Sequence, residues 1–126
     1  MSLESRLKEA YPEVYEEIKT LLEGLDISCI PDIERYFVEY HGAIEGKNRG
    51  LFILIVVILV DRPLYLGVSV MRRGVRNELA RIVGVIPTAV SHQYKATKDY
   101  YDVNKRFREE VNTMADNIKQ RIIGNE

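Results

Sequence analysis

The chain has 126 residues, 46% of them hydrophobic, with 18 Lys and Arg against 19 Asp and Glu. That length suits one domain, or a domain with an extension, and the composition excludes disordered, collagenous and linker-like chains. A single cysteine, Cys29, excludes a disulfide framework and a cysteine-based zinc site.

No basic stretch leading into a long apolar run marks a signal peptide. The longest apolar run, Leu51 to Val60, has about half of the ~20 residues that a membrane span needs. A soluble, cytoplasmic protein without membrane association is therefore expected.

In chain order, Leu3, Leu7, Ala10, Val14, Ile18, Leu21 and Leu25 recur at helical spacing and share one face. Pro12 interrupts them, so a kink or a second helix is expected there. Ile30, Ile33, Phe37, Tyr40 and Ile44 form a second stripe, opened by Pro31 and expected to close at Gly46. Leu51–Val60 is rich in β-branched residues, but no alternating run elsewhere offers it a partner strand, and we read it as a core helix.

Beyond it, Pro63 is expected to open a helix running to about Arg73, with Leu64, Val68 and Met71 inward and Gly74 at its end. A short helix over about 76–83 follows, burying Leu79, Ile82 and Val83. Pro87 then opens a helix with Val90, Tyr94, Thr97 and Tyr101 on its core face. Asn104 can cap a last helix whose stripe is Phe107, Val111, Met114, Ile118 and Ile122. The expected fold class is all-α, a multi-helix bundle. Residues 1–60 read as an acidic N-terminal helical region and residues 61–126 as a second domain.

The charges are unevenly placed. Residues 1–50 carry a net −5, residues 51–126 a net +4, and the window 72–108 a net +6. A basic stretch inside a nearly neutral chain points to an anionic partner, with nucleic acid the first candidate and a merely solvated face the alternative.

Arg76 to Lys95 reads RNELARIVGVIPTAVSHQYK. A helix-turn-helix needs a small residue where its helices cross, a turn residue tolerant of positive φ, and a buried aliphatic in the second helix; Ala80, Gly84 and Val90 supply them. With Val90, Tyr94 and Thr97 turned inward, Thr88, Ser91, His92 and Lys95 form one outward stripe, as groove readout requires. Short hydroxyls, an imidazole and a lysine can reach base edges or phosphates.

From about Pro63 onward the chain resembles the C-terminal DNA-binding domain of the bacterial replication initiator DnaA, of the helical class that includes the Trp repressor. The resemblance rests on the apolar PLYLGVSVMRR, the glycine-ended NELARIVG, the IPTAVSHQYK helix with Thr88, Val90 and His92, and the closing YYDVNKRFREEV. It implies a DnaA-like helix-turn-helix that binds double-stranded DNA. The start of its second helix would read the major groove, and Arg72 and Arg73 would hold the backbone. Two departures matter. Where the family carries its base-reading Asp and His, this chain has Ile86 and Pro87. No GxxxxGK[ST] loop occurs, so the chain is not a complete initiator.

The expected DNA-binding residues are Arg72, Arg73, Arg76, Lys95 and Lys98 on phosphates and Thr88, Ser91 and His92 in the groove. The rival expectation is a protein-interaction module that keeps the fold without reading DNA. The N-terminal half is expected to dock on the second domain, to form a homodimer, or to bind a basic protein surface. His41 reads as a surface residue and Cys29 as a small buried one. No catalytic or metal site is found, so neither enzymatic activity nor a cofactor is expected.

Overall fold

A computed structural model describes residues 2–124, with backbone alone at residues 20 and 21, so the side chain of Leu21 lies outside the described residues. The described residues form α-helices and one 3₁₀ turn, with no strand: α1 (Leu3–Ala10), α2 (Pro12–Leu22), the turn Ile27–Cys29, α3 (Ile30–His41), α4 (Asn48–Val60), α5 (Arg62–Tyr65), α6 (Arg73–Val83), α7 (Pro87–Val103) and α8 (Lys105–Gly124). No helix among them is long and apolar enough to cross a membrane.

The molecule is built around α4. Every residue from Phe52 to Val60 is buried, which accounts for the absence of a polar face in this segment. Helices α3, α6, α7 and α8 all pack against it. The core therefore runs without interruption across residues 60 and 61, from Ile30 to Ile122. Close approach of α7 to α4 depends on Gly50: a methyl group there would overlap the Thr97 hydroxyl. Full burial of one Ile or Leu side chain is worth about 1.5–3 kcal/mol, so this one helix supplies much of the driving force for folding.

Several expected elements appear with changed limits. Pro12 starts a new helix, at its first turn, rather than kinking a long one. Helix α3 stops at His41 and not near Gly46, because Gly42 takes φ +80° and its N–H closes on the Val38 carbonyl. Cys29 is half-buried. Asn104 caps α8 as expected, its Oδ1 accepting from the Phe107 N–H at 2.8 Å.

The expected helix over 63–73 is overturned. Only Arg62–Tyr65 is helical; Gly67 then adopts φ +76°, and the Gly67 and Val68 N–H groups turn back to the Leu64 and Pro63 carbonyls. Residues 66–72 form a loop with Val68 and Val70 outward, 68% and 82% exposed, where Val68 had been expected inward. The left-handed glycine outweighs the apolar spacing of its neighbours. Gly74, expected to end that helix, lies instead in the first turn of α6, which begins at Arg73.

Candidate nucleic-acid interface

The outward stripe stands on a helix pair whose geometry follows from few residues. In α6, Val75, Leu79, Ala80 and Val83 are buried, and the small Ala80 side chain suits the crossing with α7. Gly84 ends α6 at φ +77°, ψ +35°, a conformation in which a Cβ is strained. The Gly84 and Val85 N–H groups both close on the Ala80 carbonyl, turning the chain within three residues toward Pro87, which opens α7. Val90 is fully buried and Tyr94 and Tyr101 nearly so, which fixes the rotation of α7.

That rotation places Thr88, His92 and Lys95 on the exposed side, with Ser91 half-buried beside them. Ser91 and Lys95 also border a cleft of ≈ 350 Å³ whose far wall is Val70 and Met71, so the 66–72 loop lies alongside the stripe. Arg73 is exposed at the start of α6.

The other three cations named from the sequence have occupations of their own. The backbone N–H of Arg72 donates to Oδ2 of Asp61 at 3.0 Å, and its Nη2 donates to the Val60 carbonyl at 2.8 Å. Asp61 is fully buried, and the Arg72 guanidinium is the cation beside it, Nε to Oδ1 at 3.7 Å. Arg72 thus ties the loop to the C-terminal end of α4. Arg76 is half-buried, with its Nε enclosed and lacking a hydrogen-bond partner.

Lys98 donates to Asp102 at 2.6 Å, with its side chain 20% exposed, and lies over the rings of Tyr65 and Tyr101 at 5.3 and 5.4 Å. Those tyrosines share a 2.8 Å hydroxyl hydrogen bond, and Tyr101 donates to Asn112 at 2.7 Å. Burial is the main cause that pushes the Tyr101 hydroxyl up to about 12, and burial likewise raises Tyr94. Spacing put Arg76, Thr88, Ser91, His92, Lys95 and Lys98 on the helices where they lie, but put Arg72 and Arg73 at the end of a 63–73 helix, whereas Arg72 lies in the loop and Arg73 opens α6. It also carried no sign of Asp61 as the partner of Arg72. The only hint was an acid directly after ten apolar residues.

At the start of α7, Ile86 is 70% exposed and Pro87 exposed as well. Among the described residues no cluster of three metal-ligating side chains occurs. No protein-family model, curated protein or solved structure matches this chain.

Proposed function

We propose that the protein binds double-stranded DNA through α6 and α7 acting as a helix-turn-helix of the DnaA and Trp-repressor kind, and that it is not an enzyme. The observation that carries this reading is the outward stripe of α7: Thr88, Ser91, His92 and Lys95 on one face, beside exposed Arg73. Thr88, Ser91 and His92 would meet base edges in the major groove. Arg73 and Lys95 would carry the phosphate contacts, since Arg72 and Lys98 are already paired with acids and Arg76 is partly enclosed. A control of replication or transcription would follow from such binding.

One observation favours a second reading, a protein-interaction module on the same frame. The exposed Ile86 and Pro87 offer a groove no side-chain hydrogen bond, only an apolar contact such as a thymine methyl accepts.

Fluorescence anisotropy of a random duplex at several salt concentrations separates the two. DNA binding predicts affinity that falls steeply with salt, with the log–log slope reduced by about one for each of Arg73→Ala and Lys95→Ala. Both variants leave the Asp61–Arg72 tie in place. Absence of binding at low salt would sink the DNA reading and leave the interaction module.

A further inference from the structure

The α1–α2 hairpin stands apart from the core. No described side chain of either helix is buried. Leu3 is 82% exposed, and Tyr11, Val14 and Ile18 are exposed as well. What holds the hairpin is its C-terminal end: α2 lies against α5, and the Leu25 N–H donates to the Leu59 carbonyl at 2.7 Å. Between the two helices runs a groove of ≈ 400 Å³ lined by the apolar Leu3, Leu7, Ile18 and Leu22 and by Glu4, Glu23 and Lys19, the last beside Glu23. Isolated helices of eight and eleven residues are marginal in water, and no described apolar side chain of this pair is fully covered. The hairpin is short of one further apolar surface.

Charge decides what that surface is. Residues 2–23 hold six glutamates against three cations, a net of −3. Two of the three cations are engaged within the hairpin, Lys8 over the Tyr15 ring and Lys19 beside Glu23. A second copy of the hairpin would set −3 against −3, which opposes association at low salt. A basic amphipathic helix satisfies both conditions, with leucine-like residues filling the groove and lysines or arginines facing its glutamates.

We propose that the α1–α2 hairpin is a docking surface for a basic amphipathic helix of a partner protein, which completes a three-helix bundle with it. The surface is separate from the outward stripe of α7, and the proposal does not depend on DNA binding.

The test uses the full chain and a fluorescent leucine–lysine peptide of about 14 residues, with leucine at helical spacing. A leucine–glutamate peptide of the same pattern serves as its counterpart. The leucine–lysine peptide should bind, more weakly as salt rises, with amide shifts confined to residues 3–23. Leu7→Ser/Ile18→Ser should weaken it roughly tenfold or more through loss of the apolar contact, and Glu4→Gln/Glu23→Gln by roughly threefold or more. An unchanged thermal transition shows that the core of each variant folds, and unchanged backbone chemical shifts over residues 3–23 show that its hairpin does.

Three outcomes would overturn the proposal. Equal binding of the leucine–glutamate peptide would remove the charge argument. Indifference to both variant pairs would place the binding elsewhere. A concentration-dependent dimer that dissociates in Leu7→Ser/Ile18→Ser would make a second copy the occupant.

Discussion

Helix α4 and the α1–α2 hairpin treat apolar residues in opposite ways. Nine consecutive side chains of α4 are buried, and it has no polar face to speak of, whereas α1 and α2 have clear apolar stripes and bury no described side chain completely. Amphipathic spacing is therefore a statement about what a helix could bury and not about what it does bury. In α4 the partners are present on every side. In the hairpin, among the described residues, the helices pack chiefly on each other and on one edge of α5.

The largest effect expected from this difference comes from truncating one side chain in each region. Ile55 is fully enclosed, so Ile55→Ala leaves a cavity and should cost about 2–5 kcal/mol in chemical denaturation. Leu3→Ala should stay within about 0.5 kcal/mol, because most of that side chain already faces water. Comparable losses from the two would mean that the hairpin is bound to the core far more tightly than its exposure implies. Amide exchange sharpens the same contrast: α4 should exchange only through global unfolding, and α1 through cheap local opening.

A smaller effect is expected at the junction between α4 and the 66–72 loop. Asp61 is the buried polar residue at the end of the apolar helix, and it accepts the Arg72 N–H. Asp61→Ala leaves that donor without its partner and frees the guanidinium, at a cost of about 1–3 kcal/mol. Faster amide exchange at residues 66–72, with α4 still protected, is the expected signature. Uniform loss of protection throughout the molecule would mean that Asp61 stabilises the core as a whole.

The legible parts of the fold were those governed by short-range rules. The run 51–60 could be read as a helix because no second run could pair with it as a strand, and its complete burial follows from its composition. The α6–turn–α7 unit was legible because Ala80, Gly84 and Val90 each answer a local steric demand. The segment 63–73 was misread because Leu64, Val68 and Met71 keep helical spacing while Gly67 breaks it, and a count of apolar positions gives the glycine no weight.

Of the candidate interface, spacing identified the exposed side of α7, since a helix with one side buried has its other side determined. What spacing could not supply was the pairing of Arg72 with Asp61 or the seating of Lys98 over Tyr65, although the Lys98–Asp102 pair, four residues apart on α7, lay within its reach. Arg72 meets Asp61 across eleven residues and a loop, and Lys98 meets the Tyr65 ring of α5. Contacts of that range depend on how helices cross. For the same reason the isolation of the hairpin was invisible: its stripe matches that of a packed helix.

At neutral pH the smallest effect is none at all, yet raised pH separates the two regions through their tyrosines. Tyr101 is enclosed in the core and Tyr15 lies on α2 of the hairpin, and both hydroxyls are raised above the ordinary 10.0. The causes differ. For Tyr101 the main one is burial, which disfavours the phenolate, and the value reaches about 12. For Tyr15 it is the hydrogen bond donated to Glu4 at 3.0 Å, which ionisation would break.

A group whose folded value lies above its unfolded one contributes stability that is complete below the unfolded value and is lost as the pH climbs through the folded one. Tyr101 should therefore leave stability untouched below about pH 10 and erode it between about pH 10 and 12. Tyr101→Phe should flatten that part of the alkaline unfolding curve. Glu4→Gln should bring the Tyr15 titration down toward its ordinary value, measured by ultraviolet absorbance, and leave the unfolding curve where it was. If Glu4→Gln shifted the unfolding curve as well, the hairpin and the core would be one cooperative unit, and the contrast between them would fail.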